Sequence, residues 1–180
     1  MSNSKINFIF FGTPDVASKT LEILKENNYL PSLIVTSIDK PQGRKMVITP
    51  SPVKIWAETN NIPYLQPTKI DDEFINKIKD LNFDLSIVVA YGKILPEKLI
   101  KTPKLGTVNI HYSILPKYRG ASPVEAALLA GEEETGVSIQ QMEFALDSGP
   151  ILAKELAQID INDTKDSLRT KLIKMNIKFS

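Results

Sequence analysis

"INFIFFGTPDVAS", Ile6 to Ser18, holds the change of pattern from which the architecture can be read. Ile6 to Phe11 is an apolar run rich in β formers, interrupted only by Asn7 and closed by Gly12. A half-exposed strand alternates apolar and polar residues. A run that is apolar throughout suits a strand covered on both faces, as in a parallel sheet. The residues after Gly12 read as the entry to a helix. Thr13 is the expected N-cap and Pro14 the first helical residue, while Asp15 sits where the helix dipole favours a carboxylate. Leu21, Ile23 and Leu24 continue the apolar face, and the helix fades at "ENN".

Farther along the chain the same alternation recurs. Leu33 to Thr36 and Leu85 to Ala90 read as buried strands, and Thr107 to Ile110 as a strand leading into His111. Helices are expected over Val53–Asn60, Glu73–Lys79, Pro96–Ile100 and Val124–Ala130, the last stopped by Gly131. Ser37 to Pro52 carries Pro41, Gly43, Pro50 and Pro52, which predicts irregular backbone. After Gly131 the character changes. Val137–Met142 and Ile151–Leu156 read as strands separated by "EFALDSGP", and Thr164–Lys174 has helical spacing. Strands alternating with helices predict an α/β fold, a mostly parallel sheet with helices on both faces. Ligands in such folds bind beyond the carboxyl ends of the strands. Three polar clusters fall there: Gly12–Asp15, Ala90–Gly92 and His111–Arg119.

Composition narrows the function. Lys and Arg number 22 against 21 Asp and Glu, which is not the balance of a dedicated nucleic-acid binder. There is no cysteine, which excludes a disulfide framework, a thiol nucleophile and cysteine zinc sites. With one histidine, no metal site is expected. No apolar run reaches the ~18 residues of a membrane span, and the first residues lack the apolar core of a signal peptide. We expect a cytoplasmic protein without membrane contact, acting as a monomer. At 180 residues, a single domain over 1–180 is expected.

The single histidine, His111, follows Asn109 by two positions at a predicted strand end. Residues two apart in a strand share a face, so their polar heads converge. An amide donor beside an imidazole suits the developing oxyanion of acyl transfer. A histidine satisfied by local backbone is the plainer reading of a lone histidine. Asp147, in "LDSGP", can orient the imidazole or pass protons itself. It also fits an Asx turn. "GTPD" is not a dinucleotide fingerprint, and it reads as helix capping or as an anion-receiving helix start. Lys40, Arg44, Lys45 and Lys54 can touch phosphates or simply be solvated.

"FFGTPDVAS", "PSPVK", "VVAYGKILP", "NIHYSILPKYRGASPVEAALLAGEEETGVSI" and "LDSGPIL", in this order over about Ile6 to Lys171, resemble the methionyl-tRNA formyltransferase family. The Asn-x-His…Asp set is shared with the wider 10-formyltetrahydrofolate-dependent formyltransferases, while "FGTPD" with "PSPVK" is more specific to the tRNA branch. The resemblance implies a Rossmann-like formyltransferase domain. It implies transfer of formyl from 10-formyltetrahydrofolate to the amino group of methionine on initiator tRNA. It assigns catalysis to Asn109, His111 and Asp147. It assigns folate contacts to Ser113, Ile114, Leu115 and Pro116, and to Tyr91, Gly92, Ile94 and Leu95. Arg44, in the loop Asp39–Thr49, would face the tRNA acceptor end, and Gly12, Thr13 and Pro14 would belong to the substrate side.

Three departures stand out. Tyr112 follows the histidine where the family often has a small residue, and would narrow the pocket mouth. The loop "RKMVIT" is less basic than usual. The chain also ends at Ser180, so the family's C-terminal barrel-like domain is expected to be absent. Two alternatives remain: a formyltransferase for a small amine (glycinamide ribonucleotide or a nucleotide-linked amino sugar), and a folate- or RNA-binding domain without catalysis.

Overall fold

The computed structural model describes residues 6–175, which divide between Thr107 and Val108 into two compact units. The first opens with β1 (Phe8–Gly12) and α1 (Asp15–Glu26), then β2 (Leu33–Val35), β3 (Lys40–Gln42) and β4 (Val47–Thr49). It continues with α2 (Pro52–Thr59), β5 (Tyr64–Leu65), α3 (Asp72–Asp80), β6 (Leu85–Val89) and α4 (Glu97–Ile100). Strands β5, β2, β1 and β6 lie in that order, and every pairing is parallel. All five residues of β1 are buried, as its unbroken apolar sequence requires. Gly12 lets α1 begin close to the strand. A Cβ there would sit 2.7 Å from the Ala17 Cβ and 2.7 Å from Phe10 Cε1.

The expected elements are present with shifted ends. β1 starts at Phe8 rather than Ile6. At α1, Pro14 occupies the cap position in extended conformation, and no side chain caps the helix. The Thr13 hydroxyl is instead spent on the Tyr91 carbonyl, to which it donates at 2.9 Å, and on the Ser37 hydroxyl at 3.0 Å. Ser51 and Asp71 do cap, accepting from the Lys54 and Phe74 amides, and Pro52 opens α2. The stretch read as irregular, Ser37–Pro52, contains an antiparallel ribbon of β3 and β4 pairing Lys40 with Thr49 and Gln42 with Val47. Gly43 and Met46, both at positive φ, make its turn, and β-branched Val47 and Ile48 favour extension. Two residues, Tyr64 and Leu65, form a short strand that the sequence did not announce.

The second unit holds most of β7 (Thr107–His111), then α5 (Pro123–Leu129), β8 (Glu134–Gln141), β9 (Ile151–Gln158) and α6 (Lys165–Ile173). Its strands are antiparallel, β8 lying between β7 and β9. Glu125 on α5 accepts from Arg169 at 2.7 Å and pairs with Lys165 at 3.4 Å, tying α5 to α6. Leu168, Leu172 and Ile173 bury the inner side of α6. Its start is closed reciprocally: the Thr164 hydroxyl accepts from the Ser167 amide, and the Ser167 hydroxyl from the Thr164 amide.

Candidate active site

The second unit brings Asn109, His111 and Asp147 together. Asn109 and His111 lie two apart on β7 and therefore share a face. Asp147 enters from the β8–β9 connection, where it takes a left-handed conformation at φ 46. Positive φ on a non-glycine residue is strained and persists where the surroundings enforce it. Here three donors do so. The Gly120 amide donates to Oδ2 at 2.8 Å, and Gln140 Nε2 and Asn109 Nδ2 donate to Oδ1 at 2.9 and 3.3 Å. Asp147 thus lies in a turn, and these three donors to its carboxylate come from other segments and not from an Asx turn. Gly149 keeps that turn closed, since any Cβ would strike the Gln141 carbonyl.

His111 is held from the other side. Its Nε2 lies 2.8 Å from the Tyr118 carbonyl, which can only accept, so Nε2 carries the proton. Nδ1 is left facing Asp147 Oδ2 at 4.0 Å, within ionic reach but outside hydrogen-bond range. Tyr118 is itself at φ 56, and its carbonyl also accepts from Ser113 Oγ at 3.4 Å. The imidazole is therefore both satisfied by backbone and turned toward a carboxylate.

Ser113, Ile114, Leu115 and Pro116 come directly after β7. Ser113 and Leu115 are buried, and Pro116 is exposed behind a cis peptide bond. Ser138 on β8 pins this stretch, accepting from the Leu115 amide at 3.1 Å and donating to the Ser113 carbonyl at 2.7 Å. Tyr112 is buried. The readings from sequence missed Ser138 and Gln140. The signal was there: in the strand "VSIQQM" they alternate on one face, opposite His111 and Asn109 in the register.

In the first unit, Tyr91, Gly92, Ile94 and Leu95 come after β6. Tyr91 is 2% exposed and sets its ring edge-on to Phe11 at 5.5 Å. Its hydroxyl has no hydrogen-bond partner among the described residues, and burial pushes the phenol up to about 12. Leu95 is buried, whereas Ile94 stands 83% exposed beside the open Gly92. Thr13 reaches the Tyr91 backbone through its hydroxyl, with Gly12 and Pro14 on either side of it in the chain. Arg44, Lys40 and Lys45 are exposed on the ribbon of β3 and β4. Lys54 is not a solvated cation: it donates to Asp39 at 2.6 Å, and this bond, before Gln66's, holds the Asp39 carboxyl below its ordinary range. Among the described residues no group of three or more His, Asp or Glu could hold a metal.

A family model described as "Formyl transferase" matches residues 4–179. The chain belongs to the formyl transferase family. It is 46% identical over 173 residues to the methionyl-tRNA formyltransferase of Clostridioides difficile (strain 630), covering 96% of this chain and 55% of that protein. Other curated relatives carry the same name, and the chain spans about half their length. Among solved structures, phosphoribosylglycinamide formyltransferase from Bacillus halodurans superposes at TM-score 0.73 with 23% identity, covering 92% of this chain and 87% of that one. The sugar 3N-formyltransferase WlaRD, determined in the presence of dTDP and 5-N-formyl-THF, superposes at 0.63 with 23% identity, over 96% of this chain and 59% of its own. These likenesses establish the expected α/β, Rossmann-like fold with its mostly parallel sheet. No helix among the described residues is long and apolar enough to cross a membrane.

Proposed function

We propose that this chain carries the formyl-transfer chemistry of a methionyl-tRNA formyltransferase, moving formyl from 10-formyltetrahydrofolate to the amino group of initiator methionyl-tRNA. The observation that carries the reading is the convergence of amide, imidazole and carboxylate from β7 and the β8–β9 turn. The choice of acceptor is supported by the name shared by relatives 40–46% identical to it. The protein would work in translation initiation, in the cytoplasm and as a monomer, with residues 1–180 serving as one catalytic domain.

The donor set fits a neutral acyl donor. It offers one amide proton donor, one imidazole and one carboxylate. When bound, 10-formyltetrahydrofolate supplies the formyl carbon and a leaving nitrogen. Asn109 Nδ2 has two protons. One goes to Asp147, and the other is available to the formyl oxygen as charge develops there. His111, with its Nε2 proton on the Tyr118 carbonyl, presents Nδ1 to the site. Neutral, it can take a proton; protonated, it can donate one to the same oxygen. Asp147 would orient the ring and help carry the proton lost by the attacking amine toward the leaving nitrogen. Ser113, Ile114, Leu115 and Pro116 would contact the folate. Tyr91, Gly92, Ile94 and Leu95 carry the same assignment, with Ile94 offering an exposed apolar side chain to a flat heterocycle. Arg44 would meet the acceptor arm, and Gly12, Thr13 and Pro14 would serve the substrate side.

A competition resolves the acceptor. The chain is given 10-formyltetrahydrofolate with charged initiator tRNA, glycinamide ribonucleotide and an amino-sugar nucleotide, and mass spectrometry follows the formyl group. We expect methionyl-tRNA to gain it. Formyl on a small amine alone overturns the acceptor. Folate binding without product on any acceptor overturns catalysis.

A further inference from the structure

We propose that Gln140 is a positioning residue for the reaction, holding the Asp147 carboxylate and thereby setting where the Asn109 amide lies relative to the formyl oxygen. The proposal rests on the formyl-transfer reading. Gln140 lies directly across from Asn109 in the β7–β8 register, and residues opposed in an antiparallel pair project to the same face. It is 2% exposed. Its Nε2 donates to Asp147 Oδ1 at 2.9 Å, closer than Asn109 Nδ2 at 3.3 Å, and the two share that oxygen. The Gly120 amide holds the other oxygen at 2.8 Å. Without Gln140, Oδ1 would have only Asn109 to receive from, and the Asn109 amide, whose second proton serves the formyl oxygen, would be pulled closer to the carboxylate and away from that aim.

The other end of the same side chain supports this. A carboxylate only accepts, so the Gln140 nitrogen must face it and the amide oxygen must face away. That oxygen, Oε1, is buried with no partner among the described residues. A buried unpaired amide oxygen opposes folding. Ile139, beside it on the strand, is buried and apolar and avoids this cost. Gln140 is therefore placed against local stability and in favour of the carboxylate, as expected of a residue retained for what it holds.

The test compares wild type with Gln140→Met in the full 180-residue chain, alone and in an Asp147→Ala background. We expect Gln140→Met to lower kcat roughly ten- to a hundredfold, as loss of positioning does. KM for 10-formyltetrahydrofolate and for methionyl-tRNA should stay within about twofold, and Tm should hold or rise, because the orphan oxygen is gone. In Asp147→Ala the second substitution should change nothing further. A fall in Tm with an equal loss of rate in both backgrounds would make the role structural and overturn the proposal; so would a kcat within twofold of wild type. Should Gln140→Met not fold, Gln140→Glu keeps the shape, replaces the donor with an acceptor and must give the same loss. A third readout needs no catalysis. The Gln140 side-chain amide protons should exchange slowly in wild type and at least tenfold faster in Asp147→Ala. If wild type formylates nothing, the functional reading fails; unchanged exchange would independently sink the link between Gln140 and Asp147.

Discussion

β1 and β8 are both interior strands, paired on each side, yet they are built on opposite terms. β1 buries Phe8, Ile9, Phe10 and Phe11 and carries no side-chain polarity at all. β8 buries Thr135, Ser138 and Gln140 among its apolar residues. Burying a polar group is unfavourable unless it is hydrogen-bonded. Two of the three on β8 are bonded to the segments that carry the candidate chemistry, Ser138 to the stretch after His111 and Gln140 to Asp147. One strand therefore stabilises its unit through area removed from water. The other gives up part of that gain to aim a loop and a carboxylate.

This division of roles is tested most forcefully by truncating Phe10, fully buried at the centre of β1. Phe10→Ala should cost about 3–5 kcal/mol of stability, read from urea unfolding, while the folded fraction keeps its kcat. A comparable loss of rate per folded molecule would mean that the two roles are not separated. On the other side, if the proposed function holds, Asn109→Ala removes one donor from the place where oxyanion charge would develop. It should lower kcat by roughly a hundred- to a thousandfold, or about 2.7–4 kcal/mol of activation free energy, with the far-ultraviolet spectrum and Tm nearly unchanged. Retained turnover would remove Asn109 from the chemistry.

The same contrast explains what could be read from the sequence. β1 and β2 were legible because complete burial writes itself as an unbroken apolar run, and β6 because only Ser86 interrupts its apolar residues. The pairing of Asn109 with His111 was legible because strand geometry fixes which residues share a face. Asp147 was recognised from its motif, but its contact with Asn109 depends on a turn 38 residues away, which no local pattern encodes. The helical cap at Thr13 failed because its hydroxyl found a partner 78 residues on, in the Tyr91 carbonyl. The ribbon of β3 and β4 was hidden by Pro41 and Gly43. A proline fits a two-stranded ribbon when its nitrogen faces outward, so the composition that argued for irregular backbone did not forbid pairing. Tyr112 looked like an obstruction because its family context is a small residue, and the fold simply buries it.

Ser138→Ala probes the β8 side at smaller scale. Its hydroxyl serves two backbone groups of the stretch after β7, the Leu115 amide and the Ser113 carbonyl. Alanine leaves both unserved in a buried place, which should cost about 1–3 kcal/mol in urea unfolding. If that stretch contacts folate, KM for 10-formyltetrahydrofolate should rise several-fold more than KM for methionyl-tRNA. An equal rise in both, or in neither, would confine Ser138 to stability.

The smallest effect concerns charge rather than area. Asp163, just before α6, is held down to about 2 chiefly by the Lys171 ammonium, then by the Ser167 hydroxyl and the Asp160 amide. Its side chain is well covered while that of Lys171 is about a third exposed, so solvent screening keeps the contribution on the order of 1 kcal/mol or less. The sign comes from linkage. The folded value lies below the unfolded value of about 3.9. The stabilisation is complete above about pH 4, shrinks as pH falls between about 4 and 2, and is absent below that. Wild type and Asp163→Asn, unfolded by urea at a series of pH values, should therefore differ by a constant amount near neutrality and converge toward pH 2. A difference that persists unchanged at pH 2 would mean that α6 is anchored by the shape of the Asp163 turn and not by its charge.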